Sequence, residues 1–169
     1  EINDLTVAYI GDGNNVANSL MLVSAICGIN FRIASPKGYK VEEAVLQLAQ
    51  TYASESGAEV LCLDDPKIAV NGVDAVYTDT WISMGQEDEA DRKRKVFKGY
   101  QVNSELMSLA KKDAVFMHCL PAHRGEEVTD EVMDSPASVV YDQAENRMHV
   151  AKAILLYLLG GLEIQLGYR

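Results

Sequence analysis

Cysteine is scarce in this chain, and long apolar runs are missing from it. Its three cysteines are Cys27, Cys62 and Cys119, and no two of them form a CxxC pair. A disulfide framework and a zinc knuckle are therefore disfavoured, and we expect a reducing, cytoplasmic compartment. No apolar run approaches the roughly 20 residues that a membrane-spanning helix needs, so we expect no membrane partner. Cys27 and Cys62 stand within apolar runs and are expected to lie in the core.

Positive charge is also in deficit. The chain has 15 Lys and Arg against 25 Asp and Glu, a formal net charge of −10. Binding to phosphate backbones needs clustered Lys and Arg, so no nucleic-acid partner is expected. The histidines at positions 118, 123 and 149 are dispersed without metal-ligand spacing, and we expect neither a metal nor a cofactor. The chain starts without Met or a signal peptide, and we expect that it was cut from a longer protein.

Strand-length apolar runs alternate with helical patterns along the chain. The runs predict strands at residues 5–10, 31–34, 60–63, 75–78, 115–118 and 139–141. Helical spacing of apolar residues predicts helices at residues 15–26, 41–52 and 145–159. This alternation predicts an α/β fold, a doubly wound, Rossmann-like parallel sheet with helices on both faces in three layers. No linker composition interrupts the pattern, so residues 1–169 are expected to be a single domain.

Ligands of such sheets bind beyond the carboxyl ends of the strands, where the strand order reverses. Residues 11–15, GDGNN, follow the first predicted strand and open the first helix. The glycines permit a tight turn and a close approach by a ligand, and the helix start suits a carboxylate or phosphate. A dinucleotide site is disfavoured, because the third glycine of that fingerprint is missing and Ser35 replaces the ribose-binding acid. A turn that binds no ligand remains an alternative.

Residues 79–86, DTWISMGQ, follow the fourth predicted strand. Asp79 suits an ammonium group, and Ser83 offers a hydroxyl. Trp81 and Met84 are large apolar side chains that need burial against either a core or a ligand. Capping and packing therefore remain an alternative to ligand binding for this loop.

Residues 118–121, HCLP, follow the fifth predicted strand. Cys119 beside His118 is a candidate nucleophile or base. Neighbouring side chains on a strand point to opposite faces, however, so the two need not touch. A structural role for this cysteine therefore stays open.

Two further segments are rich in charged residues. Residues 145–147, ENR, open the predicted last helix, where Arg147 is unfavourable to the helix dipole unless it faces an anion or a polarised carbonyl. A surface arginine paired with an acidic neighbour is the alternative. Residues 88–95 place acids four positions before bases, a spacing that predicts a solvated helix.

Together and in this order, these segments resemble the second domain of the ornithine carbamoyltransferases. The resemblance runs from about residue 5 to residue 160. It includes the family's ornithine loop at residues 79–85, the HCLP segment and the ENR segment. The SMG sequence within the loop is the most specific signal, because aspartate and putrescine carbamoyltransferases lack the loop in this form. The resemblance implies transfer of the carbamoyl group from carbamoyl phosphate to the δ-amine of L-ornithine, giving L-citrulline and phosphate in arginine biosynthesis.

The resemblance also implies roles for particular residues. Ornithine binding falls to Asn15, Asp79, Ser83 and Met84, with Asp79 facing the α-ammonium. Cys119 is implied as the catalytic proton acceptor near the δ-amine. Carbamoyl phosphate is implied to contact Cys119, the backbone carbonyl of Leu120, and Arg147.

One half of the family's enzyme is not found in this sequence. The family's amino-terminal domain carries a Ser-Thr-Arg-Thr-type loop that holds most of the carbamoyl phosphate, and no such loop occurs here. The resemblance implies a homotrimeric full-length enzyme and an isolated chain that is inactive. A non-catalytic amino-acid-binding module, and a related carbamoyltransferase with a different amine acceptor, remain alternatives.

Overall fold

The computed structural model describes residues 2–82 and 87–160, and a parallel sheet forms its centre. The strands are β1 (Thr6–Ile10), β2 (Asn30–Ala34), β3 (Val60–Leu63), β4 (Ala75–Thr78) and β5 (Val115–His118). They lie in the order β3-β2-β1-β4-β5, and every neighbouring pair is parallel. The order reverses between β1 and β4, so the carboxyl ends of these two strands border the crevice in which such sheets bind ligands.

Seven α-helices connect and flank the strands in the described residues. They are α1 (Asn15–Ile26), α2 (Glu43–Ser56), α3 (Pro66–Val70), α4 (Ala90–Phe97), α5 (Ser104–Met107), α6 (Asp130–Met133) and α7 (Val140–Gly160). The helix predicted over residues 15–26 is confirmed without a change of bounds. The second helix starts two residues later than predicted and continues to Ser56, where Gly57 ends it in a left-handed conformation.

The alternating sides of the strands build one core on each face of the sheet. In β1, Tyr9 packs with helices α1 and α2, whereas Ala8 and Ile10 pack with α3, α5 and α6. Phe31 and Phe116 are fully buried in opposite cores. Each such side chain stabilises the fold by about 1.5–3 kcal/mol. The predicted doubly wound, three-layered α/β fold is confirmed.

The predicted sixth strand at residues 139–141 is wrong. The chain forms a single bridge between Phe116 and Ser138, and helix α7 then begins at Val140. The β-branched run favours a strand by propensity, but its contact with the edge strand lasts only one bridge. Residues 145–147 consequently lie inside α7, and Arg147 does not stand at a helix start.

Two further expectations about burial are corrected. Cys27 caps the end of α1 and is exposed, and Cys62 is only half-buried. Lys93 in α4 is 2% exposed and its ammonium binds the carboxylate of Asp12, so the face predicted to be solvated is covered at this position. A buried lysine requires such a partner, since an unpaired ammonium would cost far more.

Within residues 2–82 and 87–160, no helix combines the length and the apolar character needed to cross a membrane.

Candidate functional site

Three of the four informative segments meet at one edge of the sheet. Because Ile10 pairs with Thr78, and Thr78 with His118, the loops that follow β1, β4 and β5 start side by side. Asp79, the first residue after β4, is 7% exposed and lies at the centre. Side chains of the loops that follow β1 and β5 contact it.

Asp79 accepts three described hydrogen bonds. Its Oδ2 accepts from Asn14 Nδ2 at 2.9 Å. Its Oδ1 accepts from the Thr80 backbone N–H at 2.8 Å and from Cys119 Sγ at 3.0 Å. The carboxylate is therefore fixed in orientation, while roughly one of the four lone-pair positions of a carboxylate stays available to a ligand.

Asn14 is the site residue that the sequence analysis missed. It is the N-cap of α1, and its Oδ1 accepts from the backbone N–H groups of Val16 and Ala17 at 3.0 and 3.1 Å. The same side chain thus caps the start of the helix and holds Asp79. An Asn directly before an apolar-periodic helix is a capping signal that could have found it. Asn15, the predicted ligand, is the first residue of α1.

Gly13, in the loop that follows β1, has a structural explanation. A Cβ on Gly13 would come within 2.3 Å of the Val41 backbone nitrogen, and the Gly13 N–H donates to the Tyr39 carbonyl at 2.8 Å. Another part of the chain thus makes the close approach that we had expected of a ligand at this position. Asp12 between the two glycines binds Lys93, which fastens the loop to α4.

The thiol of Cys119 is protonated at neutral pH. Burial, the hydrogen bond to Asp79 and the negative charge of that carboxylate together raise its pKa from 9.0 to about 12, with burial the largest cause. A hydrogen bond with Tyr77 opposes the shift. Unliganded Cys119 is therefore a hydrogen-bond donor and not a standing thiolate.

Two tyrosines support this cluster from below. Burial raises the pKa of both Tyr9 and Tyr77, with a smaller contribution from the charge of Asp79, so both hydroxyls remain protonated. The Tyr9 hydroxyl donates to Asn14 Oδ1 at 3.3 Å. The Tyr77 hydroxyl accepts from Gln143 Nε2 at 3.0 Å, and this contact joins the sheet to α7.

A second buried group lies behind the HCLP segment. His118 and Glu127 are both 0% exposed, and His118 Nε2 lies 3.3 Å from Glu127 Oε1. His118 Nδ1 accepts the backbone N–H of Leu120 at 2.9 Å. Leu120 has a φ of 57°, a left-handed conformation that costs a non-glycine residue roughly 1–2 kcal/mol. Such a residue persists only where its surroundings hold it.

The ligating atoms of Asp79, His118 and Cys119 lie within 4.8 Å of one another. A thiolate, an imidazole and a carboxylate are ligands that Zn²⁺ accepts. Here the atoms already serve each other and the backbone: the thiol keeps its proton, and His118 Nδ1 accepts from Leu120. A cation bound through His118 Nδ1 and Cys119 would have to displace both of these bonds.

Two adjoining cavities connect the predicted site residues. Asn15, Asp79 and Leu120 line a cavity of about 570 Å³, together with Arg94 and Glu126, whose charged groups pair at 3.1 Å. This cavity therefore presents carboxylates and a guanidinium, charges that match those of a free amino acid.

The neighbouring cavity, of about 490 Å³, is lined by Asn15, Cys119 and Arg147. Arg147 Nη1 lies 3.4 Å from the Cys119 carbonyl oxygen. The structure thus brings all the described predicted residues to two spaces that share Asn15. Ser83 and Met84, the remaining predicted residues, lie outside the described residues.

The fold and the site define an α/β ligand-binding module with a fixed carboxylate and a neutral thiol at the strand-order reversal. Comparison with known proteins identifies the family of this module. The family model described as "Aspartate/ornithine carbamoyltransferase, Asp/Orn binding domain" matches residues 3–158. The chain belongs to this family, which confirms the resemblance found in its motifs.

Individual relatives point in the same direction. The chain is 53% identical over 163 residues to the ornithine carbamoyltransferase of Thermococcus kodakarensis, covering 96% of this chain and 52% of the relative. The solved ornithine carbamoyltransferase of Pyrococcus furiosus is 53% identical with a TM-score of 0.89, covering 94% of this chain and 51% of that one. The Giardia lamblia ornithine transcarbamoylase is 35% identical with a TM-score of 0.87, covering 96% and 53%. The chain therefore spans about half the length of the curated relatives it matches.

Proposed function

We propose that this chain is the ornithine-binding half of an ornithine carbamoyltransferase, which moves the carbamoyl group of carbamoyl phosphate to the δ-amine of L-ornithine. The products are L-citrulline and phosphate, and the reaction serves arginine biosynthesis. The observation that carries the proposal is the buried Asp79, whose carboxylate is fixed by Asn14, Thr80 and Cys119 and faces a cavity. The names of the relatives support the choice of ornithine.

Asp79 receives the α-ammonium group of ornithine. Three donors already orient the carboxylate, so an ammonium group can take the remaining acceptor position without reorganising it. Asn15 lines the same cavity and binds the amino-acid end of the substrate, with Ser83 and Met84 of the following loop completing the contact. This end of ornithine does not react, but its binding orients the amine that does.

Cys119 takes part in proton transfer from the δ-amine. A protonated amine cannot attack a carbonyl, so the site must favour the neutral form. The charge of Asp79 helps to raise the pKa of Cys119 in the empty site, and a bound α-ammonium would offset that charge. Substrate binding thus lowers the pKa of the thiol, so the thiol can release its proton to solvent and the resulting thiolate can accept one from the δ-ammonium group.

Arg147 and Leu120 serve the carbamoyl group. Attack by the amine nitrogen on the carbamoyl carbon builds negative charge on its oxygen, and a nearby guanidinium stabilises that charge until the bond to phosphate breaks. Arg147 lines the cavity that also contains Cys119. The Leu120 carbonyl accepts from the carbamoyl amide.

Residues 1–169 form one domain, and a second domain that is not in this sequence supplies most of the phosphate binding. Helix α7 supports this division. Ile154, Leu155, Leu158 and Leu159 are all more than half exposed, and the exposed fraction of Leu159 reaches 82%. A run of apolar side chains of this size needs a partner surface. We propose that the missing half covers it, that the complete enzyme is a homotrimer, and that it works in the cytoplasm.

Calorimetric titration of the chain with L-ornithine tests the substrate. We expect weak binding that disappears in Asp79→Asn, which keeps the shape of the side chain and removes its charge. Putrescine lacks the α-carboxylate and 5-aminopentanoate lacks the α-ammonium, so both should bind more weakly than ornithine. Preference for L-aspartate would overturn the assignment.

Activity requires the second half. We expect no citrulline from the chain alone, and citrulline from a fusion of this chain behind the amino-terminal half of the Pyrococcus furiosus relative. Ornithine binding without citrulline formation by the folded fusion would instead indicate an amino-acid-binding module. Citrulline formation by the chain alone at more than trace rates would contradict the proposal that activity requires both halves.

A further inference from the structure

We propose that His118 and Glu127 are positioning residues that hold the Leu120 peptide in its left-handed conformation, so that the Leu120 carbonyl is ready for the carbamoyl group. The inference rests on the proposed function for the role of that carbonyl. The positioning itself is a property of the chain and stands without it.

Leu120 adopts a conformation that a leucine does not choose by itself. Its φ of 57° lies in the region that favours glycine, and the residue lines the cavity beside Asp79. Strained residues of this kind cluster at functional sites and need a local constraint. The described constraint is the bond from the Leu120 N–H to His118 Nδ1, at 2.9 Å.

This bond determines the tautomer of His118. A ring nitrogen that accepts a hydrogen bond carries no proton, so the neutral imidazole carries its hydrogen on Nε2. Nε2 lies 3.3 Å from Glu127 Oε1, and the alignment falls short of a full hydrogen bond. The carboxylate still attracts the Nε2 hydrogen and disfavours the other tautomer, which would present a donor to the Leu120 N–H.

Glu127 is costly to bury. Its side chain is fully buried, Oε1 also accepts the His123 backbone N–H, and Oε2 has no hydrogen-bond partner among the described residues. A buried carboxylate with so few partners opposes folding. Control of the orientation and tautomer of a histidine is a role that such carboxylates perform elsewhere.

The pair does not act on the thiol. His118 Nδ1 is occupied by Leu120, Nε2 faces Glu127, and Cys119 donates to Asp79 on the other side. A proton relay from Cys119 through His118 to Glu127 would need a ring nitrogen that is free. The geometry therefore points to the backbone of residue 120 as the object that His118 positions.

Two substitutions distinguish the roles of the two ring nitrogens of His118. In His118→Asn the amide oxygen can occupy the place of Nδ1 and accept from Leu120, whereas in His118→Gln the amide reaches the place of Nε2 and leaves Leu120 without its acceptor. NMR of the ¹⁵N-labelled chain detects the bond as a scalar coupling between Leu120 N and His118 Nδ1. The three-bond coupling between the Leu120 amide and α protons reports its φ.

We expect the wild-type chain to show the cross-bond coupling and the Nε2–H tautomer. The left-handed coupling of Leu120 should persist in His118→Asn and be lost in His118→Gln. Glu127→Gln should keep it, because the amide oxygen replaces Oε1, and Glu127→Leu should not. Unchanged amide shifts elsewhere in the sheet identify variants that have folded. An unaltered Leu120 signature in both His118→Gln and Glu127→Leu would overturn the proposal.

The fusion enzyme supplies the functional readout. His118→Gln should raise KM for carbamoyl phosphate or lower kcat by about 10- to 100-fold with little change in KM for ornithine, and His118→Asn should restore most of the loss. If the wild-type fusion makes no citrulline while the NMR result holds, the proposed function fails and the positioning stands. Wild-type kinetics in the His118→Gln variant would instead contradict the positioning role.

Discussion

Alkylation of Cys119 reports the charge state of its thiol, because the thiolate is the species that reacts. The structure raises the pKa of this thiol from 9.0 to about 12, first through burial and then through the Asp79 carboxylate. We therefore expect iodoacetamide to modify Cys119 slowly at pH 8. The relevant comparison is a short unstructured peptide with the same local sequence.

The size of the effect follows from two opposing factors. At pH 8 a thiol with a pKa of about 12 has roughly 1,000-fold less thiolate than one with an ordinary pKa. A thiolate of higher pKa is also more nucleophilic, which recovers roughly 15- to 30-fold over this shift. Cys119 should therefore react roughly 30- to 70-fold more slowly than the peptide.

The pH profile distinguishes the charge state from simple obstruction. Limited access to a half-buried thiol lowers the rate by the same factor at every pH. A raised pKa changes the shape instead, so the logarithm of the rate should keep rising with pH up to pH 10. Mass spectrometry of the Cys119 peptide after timed labelling, at half-unit steps from pH 7 to 10, gives this profile.

Asp79→Asn tests the cause of the shift. It removes the charge and leaves the burial, so the pKa of Cys119 should fall only part of the way. The rate at pH 8 should rise about threefold for each unit of that fall, since the gain in thiolate exceeds the loss in nucleophilicity. A wild-type profile that levels off near pH 9, or slower labelling of Asp79→Asn, would refute the reasoning.

Two predictions concern the loop that follows β1. Gly13→Ala would place a Cβ 2.3 Å from the Val41 nitrogen, and it should destabilise the chain by about 1–3 kcal/mol in urea unfolding. Gly99→Ala, where a Cβ meets nothing within 4 Å, should change stability by less than about 0.5 kcal/mol, and equal losses in both variants would contradict the packing argument. Lys93→Met leaves the Asp12 carboxylate, which is 14% exposed, without the Lys93 ammonium and should cost about 1–3 kcal/mol, less than for a fully buried pair. Lys93→Met with Asp12→Asn should recover most of this loss by the same measurement, and no recovery would mean that Lys93 stabilises the fold by other contacts.

The fold was largely predictable because its signals are local. The bounds of β3, β4, β5 and α1 agree with the predictions, since short apolar runs and helical spacing are properties of the segments themselves. The start of α7 was not predictable in this way. Val139 and Val140 favour a strand by residue type, and only the single bridge from Phe116 to Ser138 shows that the sheet ends there. The burial of Lys93 likewise depends on Asp12, a residue 81 positions away.

In the candidate site, too, the features set by local sequence were predictable and those set by tertiary contacts were not. That Asp79 and Cys119 lie near each other follows from their positions after neighbouring parallel strands. The proton on the Cys119 thiol could not be predicted, because it depends on burial and on a carboxylate oxygen at 3.0 Å. The role of His118 was equally hidden. Alternation along a strand suggests where its ring points, but the bond to Leu120 needs the left-handed turn of that residue.

The hydrogen bonds to Asp79 in the unliganded site differ in how far a bound substrate can change them. Asn14 and Thr80 donate to Asp79 whether or not a ligand is bound, since one also caps a helix and the other is backbone. Cys119 is the exchangeable donor, because its bond to Asp79 depends on a proton that the carboxylate helps to retain. An ammonium group that takes the free acceptor position of Asp79 offsets the negative charge of the carboxylate and so weakens its hold on the thiol proton. Binding of the unreactive end of an amino acid can thereby change the protonation of the group nearest the reactive end, and the alkylation rate of Cys119 should rise when ornithine is present.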